Sequence, residues 1–141
     1  MVIILREFTS PNLLSEVFKL TALICASTCS SHVVKFISLG IVELIKCRLQ
    51  RNNSQEEEPV FINAAFALAN IAADSDFTAH QAILVQRVYQ AAVVPLLMQD
   101  HIPEIFRIEL IMSLGNFFLH ADFDLTYYLL TDSEILPCLI K

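Results

Sequence analysis

The chain has 141 residues, a length suited to one domain that buries about two-thirds of its unfolded surface. Hydrophobic residues make up 55% and charged residues 17%, and with two glycines and five prolines the chain lacks the turn material of a β-sandwich, so an all-α fold is expected. Nine basic against fifteen acidic residues give a net charge of −6, which excludes the basic patch that nucleic acid or an anionic membrane requires; a charged partner would be basic, unless the acidity serves only solubility.

In chain order, the opening MVIIL is too short for the apolar core of a secretory signal, lacks a basic start and is followed by Arg6 and Glu7. Ser10 and Pro11 read as a helix N-cap followed by proline at the first helical position. The longest uncharged run, fifteen residues between Lys19 and Lys35, includes Ser27, Thr28, Ser30, Ser31 and His32. A membrane-spanning helix needs about twenty apolar residues, so an intracellular chain is expected. Cys25 and Cys29 lie in this segment, Cys47 and Cys138 stand apart, and no CxxC or second ligand pair accompanies them. Buried, reduced thiols are the expectation.

Residues 48–59, RLQRNNSQEEEP, concentrate polarity and read as a loop between helices, with Glu56, Glu57 and Glu58 as solvated charge. Ser54 and Glu57 have capping-box spacing, with Pro59 in the first turn of the next helix. On a helical wheel, residues 59–73 gather Phe61, Ala64, Ala65, Leu68, Ile71 and Ala72 on a core face, and Asn63, Phe66, Asn70 and Asp74 fall opposite. Pro103 and Glu104 open a later helix. Its core side is Phe106, Leu110, Leu114 and Phe117, while Ile105, Glu109, Met112, Asn116 and His120 line the other. Thr131 and Glu134 repeat the capping-box spacing.

The segments recur. LTALICAST (20–28), FALANIAAD (66–74) and IMSLGNFFLHAD (111–122) precede LGIVELIKCRL (39–49), AAVVPLLMQD (91–100) and SEILPCLIK (133–141) in the same order. Asn70 and Asn116 are 46 positions apart, and Val93 and Ile135 are 42 apart. This is the period of a three-helix armadillo-type repeat, and it predicts a right-handed α-solenoid of about three repeats, 11–52, 55–100 and 103–141, in one domain over 1–141. MVIIL and ILPCLIK carry no polar capping repeat, so the expectation is part of a longer solenoid, a truncated relative, or a protomer whose ends are covered.

In both long helices a large apolar residue precedes an Asn by four positions, Phe66 before Asn70 and Met112 before Asn116, so each pair points the same way one turn apart. Two plainer roles stand beside a shared binding face. Phe66 and Met112 pack against adjacent repeats, or the asparagines satisfy backbone groups near helix ends.

NAAFALANIAAD (63–74) resembles the third-helix motif of importin-α, the armadillo adaptor of nuclear protein import, whose repeats read like AAWALxNIAxG or AVWALGNIAGD. SLGNFF with the later SEILPCLI is similar to that family's LGNIA…GILPPLL. The resemblance spans nearly the whole chain as repeat layout and is most specific over 63–74. It implies a protein of cytoplasm and nucleus that is no enzyme and needs no cofactor. Its third helices would line a concave groove for the basic nuclear localisation signal of cargo proteins. By position, Asn70 and Asn116 would bind the peptide main chain, and Phe66 and Met112 stand where the family stacks Trp on Lys and Arg stems. Asp74 and His120 follow by one turn, with Asn63, Glu109 and Asp122 nearby. The chain has no Trp, and Leu23 stands at the Asn position of the first repeat. Arg6 is the only basic residue before Lys19, so an importin-β type carrier would be reached through sequence not present here. A generic armadillo or HEAT interaction scaffold without nuclear-signal binding is the alternative.

Catalytic patterns are lacking. His32, His80, His101 and His120 lie in different segments without HExxH spacing, and there is no Gly-rich phosphate loop, GxSxG elbow or calcium loop.

Overall fold

The computed structural model describes residues 10–27, 29–51, 58–131 and 135, and among these it forms eight α-helices and no strand. They are α1 (Pro11–Cys25), α2 (Ser30–Ser38), α3 (Ile41–Leu49), α4 (Glu58–Ala72), α5 (Phe77–Val85), α6 (Val94–Leu97), α7 (Glu104–His120) and α8 (Phe123–Thr131). A π-helical turn, Tyr89–Val93, leads into α6.

Local chemistry sets most of the helix ends. The Ser10 hydroxyl accepts from the Leu13 N–H at 3.3 Å, and Pro11 opens α1 as the sequence predicts. Asp76 caps α5 by accepting from the Thr78 N–H at 2.7 Å. Gly40, at φ 82°, separates α2 from α3 in a left-handed conformation that suits a residue without Cβ. Pro95 explains the π turn. It has no N–H for the Ala91 carbonyl, so the Val94 N–H reaches back to Tyr89 and the Gln50 side chain donates to Ala91 at 3.1 Å.

Residues 48–59 are less of a loop than their polarity suggests. Arg48 and Leu49 finish α3 and are buried, and Glu58 and Pro59 begin α4. Thr131 ends α8 rather than opening a helix, with its hydroxyl donating to the Tyr127 and Tyr128 carbonyls. The expectations placed on MVIIL, Arg6, Glu7, Thr28, Ser54, Glu56, Glu57, Glu134 and Cys138 lie outside the described residues.

The three long helices stand side by side, α1 against α4 and α4 against α7. Asn63 bonds Ser15 and Asn70 bonds Ala22, each across 48 positions, so α1 and α4 run in the same direction and in register. α7 continues this on α4, with Asn116 bonded to Ala69 and the Phe61 and Phe106 rings 6.3 Å apart. The short helices pack alongside, α2 against α5, α5 against α8, and α3 against α4 and the π turn.

This sandwich changes the reading of α4. The wheel gives it one core face, and all six residues of that face are buried, but Val60, Ala67 and Ala69 are buried as well. Covered by α1 on one side and α7 on the other, α4 needs small side chains for both neighbours to approach, and its alanines supply them. Phe18, Phe61, Phe106, Phe117 and Tyr89 fill the core between the helices, each side chain of this kind contributing about 1.5–3 kcal/mol through burial. Among the described residues no helix is long and apolar enough to cross a membrane.

Candidate functional site

Because α4 and α7 pack side by side in the same direction, the two stripes lie on neighbouring helices: Asn116 donates to the carbonyl of Ala69, the residue before Asn70, and Asp74 and His120 line one cleft. Asn63, Phe66, Asn70, Asp74, Glu109 and Asn116 are half-buried, His120 is exposed, and Met112 is 50% exposed. Ile105, further up α7, is also exposed. The stripe is therefore open to solvent over its whole length.

The asparagines have a structural task on this face. Asn63 Nδ2 donates to Ser15 Oγ at 2.8 Å, Asn70 Nδ2 to the Ala22 carbonyl at 3.1 Å, and Asn116 Nδ2 to the Ala69 carbonyl at 2.9 Å. An amide nitrogen has two N–H groups, so Asn70 and Asn116 each keep a second donor and the side-chain oxygen for a ligand, whereas Asn63, whose Nδ2 also donates to the Ser15 carbonyl at 3.4 Å, keeps the oxygen. On the first long helix the corresponding position, Leu23, is an exposed apolar side chain.

At the lower end of the stripe a cleft of about 380 Å³ is lined by Cys25, Ser27, Ser30, Asn70, Asp74 and His120, with Ala26, Ala73 and Ser75. It lies where the C-terminal ends of α1, α4 and α7 converge, facing the first turn of α2. Helix C-termini carry partial negative charge on their free carbonyls. The N-termini of α2, α5 and α8 follow those ends within five residues and carry the opposite partial charge, so the Asp74 carboxylate is what makes the cleft attractive to a cation. Asp74 is oriented by accepting from the Asp76 N–H at 2.8 Å.

Cys25, His120 and Asp74 share this cleft, the residue types of a thiol triad. Burial and then the Asp74 charge push the Cys25 thiol up to about 11, so it stays protonated and is no nucleophile at neutral pH. Cys29 departs from the expectation of buried thiols. It sits at the N-cap of α2, exposed, with Sγ 2.9 Å from Ser31 Oγ. Hydrogen bonds from the Ser31 hydroxyl and backbone hold its thiol below the usual range.

Sequence reasoning treated the histidines as scattered, yet the fold brings His80 and His120 together. Buried His80 donates from Nε2 to the Ala72 carbonyl at 3.1 Å and meets the edge of Phe117 at 5.2 Å. Burial lowers its pKa, and the charges of Asp74, His120 and Asp122 act on it. Higher up, partial burial raises the pKa of the Glu109 carboxyl, the other acid on the stripe. Among the described residues no group of three or more His, Cys, Asp or Glu could hold a metal ion.

Comparison with known protein families, curated proteins and solved structures finds no match for this chain.

Proposed function

We propose that this chain is an importin-α-like armadillo adaptor, a solenoid of about three three-helix repeats that binds basic nuclear localisation peptides along the α4–α7 face. The observation that carries the reading is the cleft shared by Asn70, Asp74 and His120 at three helix C-termini. It offers a carboxylate to a lysine or arginine head. Above it, Asn63, Asn70 and Asn116 present amide groups to an extended main chain. Phe66 offers a ring face to a cationic stem, an interaction of about 0.5–2 kcal/mol, and Met112 and Glu109 complete the wall. Repeat stacking is supported by three hydrogen bonds and one ring pair that join positions 45–48 apart, and by the separate rows of long and short helices. Protein binding of this kind is not catalysis and uses no cofactor. The protein would act in cytoplasm and nucleus, with an importin-β type carrier engaged through other sequence.

One observation favours a second reading, a protein-interaction scaffold without nuclear-signal binding. All three asparagines tie neighbouring helices together, a task that needs no peptide.

Titration of a fluorescent basic nuclear-signal peptide separates the two readings, with Asn70→Ala/Asn116→Ala and Asp74→Asn measured beside the parent. Weak binding that falls with added salt and is reduced by both variants is expected. Circular dichroism melts identify variants that have merely unfolded. Absence of binding by the parent would favour the scaffold, and undiminished binding by well-folded variants would overturn the placement of the peptide on the α4–α7 face.

A further inference from the structure

We propose that α7 pairs with α7 of a second copy of this chain, the two helices running antiparallel about a two-fold axis. The pairing stands without the peptide-binding reading; Met112 is the residue common to the two surfaces. α7 packs against α4 on one flank. On its open side every exposed position from Ile105 to Leu119 is apolar or glycine: Ile105, Ile108, Ile111, Met112, Gly115 and Leu119. The five large side chains, each 49–75% exposed, present roughly 500 Å² of apolar surface, at the upper end of what the largest patch of a monomer shows. A standard interface takes about 800 Å² from each partner, about 65% of it apolar in homodimers, so this stripe matches what a stable pair would bury. α1 differs, with Glu16 and Lys19 exposed among Leu13, Leu20 and Leu23. In a chain of net charge −6, a helix face cleared of charge is one on which two copies can meet without repulsion.

Spacing and a glycine point to a helix of the same kind as the occupant. Ile105, Ile108, Met112, Gly115 and Leu119 follow at alternating steps of three and four, the spacing of a coiled-coil seam. Glycine inside a helix is unfavourable relative to alanine. At Gly115 the backbone is not left-handed, and a methyl group there would meet no neighbouring atom within 4 Å. No contact among the described residues requires this glycine, whereas a second helix at close range would use it as the hole for a large side chain. Two antiparallel registers bring seam positions face to face. One sets Glu109 against Glu109 of the second copy across the axis and is disfavoured by like charge. The other seats Met112 over Gly115 and Ile108 against Leu119, with Glu109 beside Asn116, whose second amide donor suits a carboxylate. Each contact then occurs twice, as two-fold pairing demands.

The test is the mass of the full chain by analytical ultracentrifugation between about 1 and about 100 μM, where micromolar association is read. Reductant keeps the exposed Cys29 from cross-linking copies. Parent, Ile108→Glu, Gly115→Gln and Leu20→Glu are compared; all three positions are exposed, and circular dichroism checks that each variant keeps its helices. The parent should approach two copies as concentration rises. Ile108→Glu puts a charge in the seam, and Gly115→Gln fills the hole with a better helix former. Each should weaken the pairing at least about 10-fold, and Leu20→Glu on α1 should leave it unchanged. A parent that stays monomeric throughout overturns the inference, as does a dimer that either well-folded seam variant leaves intact. A mass that climbs past two copies and falls with Leu20→Glu also overturns it, because that contact runs head to tail from α7 to α1. Where one seam variant fails to fold, the other decides.

Discussion

Asn116 on α7 donates through Nδ2 to the main-chain carbonyl of Ala69 on α4, at 2.9 Å and across 47 positions of sequence. Asn70 makes the same bond to Ala22 on α1 at 3.1 Å, across 48 positions. In each case the acceptor is an alanine, small enough for the amide to reach the backbone of the neighbouring helix. A helical carbonyl has a second lone pair beyond the one used within its own helix, and the asparagine occupies it. The stitch fixes register between long helices as well as adding energy.

Replacing Asn116 by alanine should therefore cost about 1 kcal/mol, the usual net worth of a partly buried hydrogen bond. Asn116→Asp should cost more, because its carboxylate oxygen would face the Ala69 carbonyl. Urea midpoints for the two variants check the order. Equal stability of the parent and Asn116→Asp would show that the bond does not hold the helices in register.

Tyr89 reaches from the π turn to the Ser113 carbonyl at 2.8 Å while its ring meets Phe117 edge-on at 5.4 Å. Tyr89→Phe keeps the ring and removes only the hydroxyl. A loss of about 1–2 kcal/mol in denaturant unfolding is expected. Tyr89→Ala, which also empties the site, should lose about 3–5 kcal/mol.

Stability should fall on both sides of neutrality. Burial holds the folded-state pKa of His80 below its ordinary value, so between the two values the unfolded chain binds a proton that the folded chain does not. That contribution is complete above about pH 6.5 and is lost as pH falls toward the folded value. Cys25 works in the opposite sense. Its folded pKa is raised from 9.0 to about 11, so its contribution is complete below 9.0 and is lost as pH rises toward about 11. Unfolding free energies across pH should show both slopes. His80→Gln should flatten the acid side and Cys25→Ala should delay the alkaline loss.

Cysteine alkylation should separate the thiols in the native protein. Cys29, exposed with a lowered pKa, should react first with iodoacetamide, and Cys25, buried with its pKa raised to about 11, should react only as the chain unfolds. Peptide mass spectrometry with and without urea reads the order directly. Native labelling of Cys25 ahead of Cys29 would contradict the burial of the first thiol and the hydrogen bonding of the second.

Features that depend on neighbours within one helix were legible before the helices were packed together. Ser10 and Pro11 announced the start of α1, and Pro103 and Glu104 that of α7. The three-and-four spacing placed Phe61 and Leu68, Leu110 and Phe117 toward the core, and Asn63, Phe66, Asn70 and Asp74 away from it. Such periodicity states which way a residue points from its own axis; it does not state what stands there. The burial of Ala67 and Ala69, the acceptors chosen by the asparagines, and the meeting of Cys25, Asp74 and His120 in one cleft were decided only when α1, α4 and α7 packed in register. Those contacts join residues about 45 or more positions apart, where spacing along a single helix carries no information. The same limit misled the reading of Leu49 and Cys29. Polar neighbours in sequence hid a leucine that α3 turns into the core, and the general tendency of free cysteines to be buried hid one that the break before α2 leaves in solvent.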